Sequence, residues 1–309
     1  MKLHIGLAAI VITGGVACAQ QASPTQQKPL LYDYLSQNVQ TPTSDMRVDP
    51  FYKKWVDAGG IPILSSEKVP DAALLVARDI VNHMLLKRTD IRQAFVAERF
   101  HVGVMAQSES TTDIPEHRDL KKPALTAQNL TAGERANYAR IAAMTDKQYW
   151  DGRARGLGGN PTTCAEENLL GYPGTRYYGE NIFVHEFSHA IMRNIKTADP
   201  KLYDQIVQAY NDAMQLGLYK GTYSETNANE YWAEGTQTWF WSNFEFRDGD
   251  KVIYTPGDLR AYDPKLYDLL GQVYPDHHIL MDVYYQKHIP HGGGGPRTQQ
   301  QPTAAPVKK

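Results

Sequence analysis

Two histidines, His185 and His189, stand four residues apart in the stretch VHEFSHAIM (184–192), with Glu186 directly after the first. On a helix, residues i and i+4 share one face about one turn apart, so both imidazoles can reach a single cation. Glu186 is rotated by about 100° from His185, which places its carboxylate beside that cation, within reach of a water there. Zinc-assisted hydrolysis needs this combination: two imidazole ligands and a neighbouring proton acceptor. The flanks support a buried element. Ile182, Phe183, Val184, Phe187, Ala190, Ile191 and Met192 make the segment apolar on nearly every side, and a helix of that kind is buried. Buried imidazoles and a buried carboxylate need a partner, and a metal ion supplies one.

A catalytic zinc needs a third protein ligand. The stretch NEYWAE (229–234) offers Glu230 and Glu234, again i and i+4, on one face of a second helix. One carboxylate can take the metal. The other, one turn on, can accept the free N–H of a ligating histidine and hold its ring in place. The residues assign Glu230 as ligand and Glu234 as that supporting acceptor. Trp232, Trp239, Phe240 and Trp241 mark the helix as packed rather than solvated. Gly235 is unfavourable in mid-helix, and is expected to let this helix approach the first closely.

The pattern His185-Glu186-x-x-His189 followed by Asn229-Glu230-x-x-x-Glu234 resembles the gluzincin branch of zinc metallopeptidases. Within it, VHEFSHA and YSETNANEYWAE resemble the catalytic domain of the anthrax lethal factor family, with its Tyr-x-x-Thr-Asn-x-x-Glu-x-x-x-Glu segment. The resemblance runs from Gly179 to Phe240. It implies a zincin-like fold and one Zn2+ per chain, bound by His185, His189 and Glu230. It further implies Glu186 as general base, and Tyr223 as the group that stabilises the oxyanion or assists the leaving amine. A peptide or protein is the substrate so implied. An activated water serves other bonds equally well. A zinc hydrolase acting on a non-peptide bond, or a non-catalytic zinc-binding protein of the same fold, therefore remains open at this level.

The elements that must position these residues follow from patterning. PDAALLVARDIVNHMLLKR (70–88) carries apolar residues at helical spacing and predicts a long helix, with a second over DIRQAFVAE. IPILSS (61–66) and FHVGVMA (100–106) read as short buried strands. A third strand is expected at Asn168–Tyr172, just ahead of the active helix, where an extended substrate would add to the sheet. Helices are expected at 181–195, 200–217, 226–243 and 264–273. This order predicts an α+β domain in which a small mixed sheet precedes a mainly helical half.

The ends read differently. Lys2 followed by an apolar run from Ile5 to Val16 and the small-residue site Ala17-Cys18-Ala19 is the pattern of an export signal over 1–19. Secretion or periplasmic export is expected, with a lipid anchor at Cys18 as the alternative. Residues 20–45 read as a flexible leader, 46–290 as the catalytic domain and 291–309 as a disordered Gly-, Gln- and Pro-rich tail. A net charge of −2 and pI of about 6.6 give no electrostatic footing for nucleic acid. No other apolar stretch is long enough for a membrane span. Cys18 and Cys164 are the two cysteines, so no disulfide framework is expected, and Cys164 reads as an inert buried thiol. Nothing signals oligomerisation, and a monomer is expected. Weaker features are His277-His278 as a second metal site, His117 and Asp113 as cleft residues, Glu166-Glu167 as a feature favouring a basic substrate, and the sequon at Asn129.

Overall fold

Four short runs of apolar and β-branched residues pair into one mixed sheet: β1 (Lys54–Asp57), β2 (Pro62–Ser65), β3 (Val102–Met105) and β4 (Thr162–Ala165). Their order is β1-β2-β3-β4; β1 runs antiparallel to β2, while β2, β3 and β4 are parallel. Parallel neighbours require crossovers. Helices α1 (Asp71–Met84) and α2 (Thr89–Ala97) make the first, from β2 to β3. The second, from β3 to β4, is an insertion carrying α3 (Ala132–Ala136), α4 (Tyr138–Ala143) and α5 (Asp146–Arg153). The computed structural model describes residues 38–127, 130 and 132–280, all within the unit that runs from Tyr34 to Lys309. The export signal, Cys18, most of the leader, the tail and Asn129 lie outside the described residues.

After the sheet the chain is helical: α6 (Glu166–Leu169), α7 (Ile182–Ala198), α8 (Pro200–Gln215), α9 (Ala228–Trp239), α10 (Pro256–Tyr262) and α11 (Pro264–Val273). A small hairpin, β5 (Phe246–Asp248) with β6 (Lys251–Ile253), separates α9 from α10. The α+β architecture predicted from the order of elements is therefore present. Helix α7 carries the His-Glu-x-x-His residues and α9 carries Glu230 and Glu234. Among the described residues no helix is long and apolar enough to cross a membrane.

The main core lies between one face of the sheet and the helices. Val102, Val104 and Cys164 meet Leu74, Ile80, Phe95 and Phe187 there. Phe187 stacks on Phe95 at 5.3 Å, which seats α7 against α2, and on Phe183 of its own helix at 5.7 Å. Cys164 is fully buried, and burial holds its thiol well above the ordinary range. The opposite sheet face packs Met105, Ile114 and Ala165 against Phe51. His117 is buried in a turn on that side, and Asp113 caps a turn by accepting the Ser110 N–H at 2.9 Å; neither belongs to the metal-ligand cluster.

Three expectations are corrected. Asn168–Tyr172 is not a strand: it is the end of α6 and a turn, and the strand lies earlier, at Thr162–Ala165. Asn168 is a hub rather than a ladder residue. Its Nδ2 donates to Tyr177 O and Glu180 O, and its Oδ1 accepts the N–H of Ile182. Glu166 and Glu167 are not an exposed feature open to a basic substrate. Both are over nine-tenths buried, and Glu167 is taken up by Arg155. His277 and His278 are no second metal site among the described residues: the His277 carbonyl contacts His83, and His278 Nδ1 lies 2.9 Å from Trp239 O.

Gly235 does allow a close approach, but to Leu266 of α11 rather than to α7. A Cβ there would lie 2.6 Å from Leu266 Cδ2, and Leu266 is fully buried with nowhere to retreat. Replacing Gly by Ala favours a helix by about 1 kcal/mol, while overpacking a core costs about 1–3 kcal/mol. Gly235→Ala is therefore expected to lower the melting temperature by a few degrees, as read by calorimetry, without loss of metal binding.

Candidate metal centre

Helix α7 starts where Asn181 accepts the Val184 N–H at 3.2 Å, an N-cap that sets the helix two residues before Val184 and presents His185 in its first turn. Helix α9 starts in the same way: Asn227 Oδ1 accepts the N–H groups of Asn229 and Glu230 at 2.9 and 3.0 Å. The two first turns face each other. One donor atom from each of His185, His189 and Glu230 lies within 4.8 Å of the other two, the only such group of three among the described residues. Glu230 Oε2 is 3.0 Å from His185 Nε2 and 3.4 Å from His189 Nε2. The two imidazole rings stand edge to face, 4.8 Å between centroids.

Gln237, fully buried one face-turn beyond Glu234, orients His185. Its Nε2 donates to Asn181 O at 3.0 Å, which turns its Oε1 toward His185 Nδ1 at 2.9 Å. An amide oxygen only accepts, so Nδ1 carries a proton, and Nε2 is the nitrogen that faces the cluster and becomes the ligating atom once its own proton is lost. Glu234 Oε1 lies farther from the same Nδ1, at 3.5 Å, while its other oxygen accepts from Asn243 Nδ2 at 2.9 Å. The sequence reading missed Gln237, although 230, 234 and 237 share one helix face at i, i+4 and i+7.

The carboxyl groups are tuned unequally. Burial works against the charge of Glu230, but hydrogen bonds from His185 and His189 outweigh it and hold this carboxyl well below the usual range. Glu234 is raised by burial. Glu180, just ahead of α7, is pushed up to about 8 by burial and by Glu234 nearby. Burial lowers the His185 imidazole, yet the hydrogen bond and charge of Glu230 win and raise it to about 10. Tyr223, in a short turn before α9, stacks over His185 with 6.1 Å between ring centroids. Burial and the charge of Glu230 push its phenol up, against the opposing charge of Arg153, so it stays protonated and able to donate. Glu186 is half-buried on the neighbouring face of α7, against the backbone at Gly156 and Gly158.

The donor set suits a zinc ion: two imidazole nitrogens and one carboxylate oxygen converge, with one ring held in the ligating tautomer by a buried amide. No family model matches the chain, and no curated protein matches it. Among solved structures, the Pro-Pro endopeptidase PPEP-2 from Paenibacillus alvei is similar in trace, with a TM-score of 0.43 and 16% sequence identity, covering 69% of this chain and 97% of that one. A likeness of that extent carries no argument about this chain.

Two outcomes follow from the geometry. Gln237→Leu keeps volume but removes the acceptor, and is expected to weaken zinc binding by about 10–100-fold, measured by competition with a chromophoric chelator. His185 holds a proton at neutral pH in the chelator-stripped chain, because its value is raised to about 10. Zinc must displace that proton, so affinity is expected to rise with pH up to that value. Calorimetric titration at pH 7 in buffers of different ionisation heat is expected to show about one proton released per zinc from this group.

Proposed function

We propose that this chain is a zinc-dependent peptidase of the gluzincin type, with His185, His189 and Glu230 as the ligands of one zinc ion. The observation that carries the reading is the convergence of those three donors beside Glu186 and under Tyr223. The likeness of residues 179–240 to the lethal factor catalytic domain supports the same assignment. The N-terminal pattern supports export, as a secreted or periplasmic monomer, with lipid attachment at Cys18 as the alternative.

A zinc ion held by these residues supplies a Lewis acid that lowers the pKa of a water and polarises a carbonyl. The chain's own residues do the rest. The Glu186 carboxylate accepts the proton of the attacking water and returns it to the leaving nitrogen. The Tyr223 phenol, kept protonated, donates to the oxygen on which negative charge develops. Gln237 keeps the Nδ1–H tautomer of His185 through the cycle, with Glu234 standing behind that ring 3.5 Å from Nδ1.

The test is cleavage of a peptide library together with metal analysis. The parent is expected to hold one zinc and cleave. Glu186→Ala is expected to keep the zinc and lose cleavage. Tyr223→Phe is expected to lose about 10²–10³ in kcat, the usual cost of one oxyanion donor, with KM little changed. Zinc without cleavage of any peptide in the parent would move the assignment to a non-peptide hydrolase or a binding protein; no zinc in the parent would end it.

A further inference from the structure

We propose that the ribbon from Arg155 to Gly159 is a positioning element for Glu186, with Gly158 setting where that carboxylate lies. The proposal rests on Glu186 being the proton acceptor. The ribbon runs along the free edge of the sheet. Leu157 bridges to Thr163 of β4 in antiparallel fashion: the Thr163 N–H donates to Leu157 O at 2.9 Å, and the Leu157 N–H donates to Thr163 Oγ1 at 3.1 Å. Its other side lies against α7. A Cβ at Gly156 would stand 2.8 Å from Ile182 Cγ2 and 3.0 Å from Thr163 O. A Cβ at Gly158 would stand 3.2 Å from Glu186 Oε2, 3.3 Å from His189 Cβ and 3.4 Å from Glu186 O. Neither glycine has a positive φ. What the two positions require is space, not the backbone freedom of glycine.

The ribbon has little room to yield. Arg155 Nε and Nη2 donate to the two oxygens of Glu167 at 2.7 and 3.0 Å, a bidentate pair. Its Nη2 also donates to Ala106 O at 3.0 Å and its Nη1 to Glu109 O. Both side chains of the pair are largely buried, at 15% and 8% exposure. One fork thus ties the start of the ribbon to α6 and to the segment that follows β3, while Thr163 holds its middle. Of the atoms around position 158, the carboxylate of Glu186 ends a flexible side chain and the others belong to helix backbone or to Cβ. A methyl group at 158 therefore displaces the carboxylate.

The first variant is Gly158→Ala, at an exposed position. Its crystal structure is expected to show the Glu186 carboxylate moved, with His185, His189 and Glu230 unmoved and one zinc bound. On peptide cleavage kcat is expected to fall on the order of tenfold to a hundredfold, as misplacement of a catalytic group does, with KM within about twofold. The second test is coupling to Glu186→Asp, whose shorter side chain clears the added methyl. That change is expected to cost at least about fivefold less in the Gly158→Ala background than in the parent, a non-additivity that general loosening does not produce. Arg155→Lys, which keeps the charge but not the fork, is expected to lower kcat while zinc content holds. An unmoved carboxylate in Gly158→Ala, or equal cost of Glu186→Asp in both backgrounds, would overturn the proposal. If the parent cleaves nothing, the peptidase reading falls while the crystallographic arm still decides the ribbon.

Discussion

The buried amide of Gln237 has one orientation that satisfies it, and the geometry of the centre depends on that. Its nitrogen must donate to the Asn181 carbonyl at the start of α7, so its oxygen must face His185. The same contact registers α9 against α7. A slip of α9 by one turn would carry Glu230 about 5.4 Å along the helix axis. That exceeds the 4.8 Å over which the three donors are spread, and would leave the Gln237 amide unpaired in a buried place. Register, tautomer and ligand set are therefore one constraint. The apolar stripe of α7 and the packing of Trp232 on Tyr274 at 5.7 Å supply the burial that makes an unpaired amide costly.

Burial also explains why the acids around the centre do not behave alike. Burial pushes Glu230, Glu234 and Glu180 toward the neutral form by loss of water. Glu230 alone has two imidazoles within hydrogen-bonding reach, and it stays ionised. Glu234 has Asn243 and a more distant His185, and Glu180 has Glu234 as an unfavourable neighbour, so both rise. The result is one firmly charged carboxylate at the donor cluster, backed by acids that give up charge more readily. A divalent cation suits that arrangement, because it meets a full negative charge at Glu230 and would favour the charged form of the acids behind it.

The parts legible in the sequence were those with a period. Helix α11 was expected at 264–273 and is found at Pro264–Val273, and α7 was expected from 181 and starts at Ile182. Both carry apolar residues at helical spacing between clear capping signals. The donors His185, His189 and Glu230 were legible for the same reason, since i and i+4 on a helix means one face. What depends on tertiary contact was not. The third strand of the parallel set lies at Thr162–Ala165 because those residues pair with β3, whereas 168–172, expected as a strand, is bent by Asn168 and by Gly171 at φ 62°. Gly235 was rightly seen as a close approach but against the wrong helix, because periodicity does not say which neighbour a face meets. Glu166 and Glu167 were read as favouring a basic substrate only because Arg155, more than ten residues earlier, leaves no local mark on Glu167, which it pairs.

Helix α7 separates two kinds of work by rotation alone. The histidine face meets α9, where side chains supply every contact: Glu230, Glu234 and Gln237 all reach across. The Glu186 face, about 100° around, meets backbone, because at Gly156 and Gly158 there is no side chain to intervene. A carboxylate set by backbone has few ways to drift, since the ribbon is tied at Arg155 and at Thr163. Donors set by side chains can adjust by small rotamer changes to an ion placed among them. The helix therefore gives Glu186, the proton acceptor of the proposed function, the stiffer of its two neighbours. That is where stiffness matters most, because proton transfer depends on tenths of an ångström, whereas an ion draws its own ligands in.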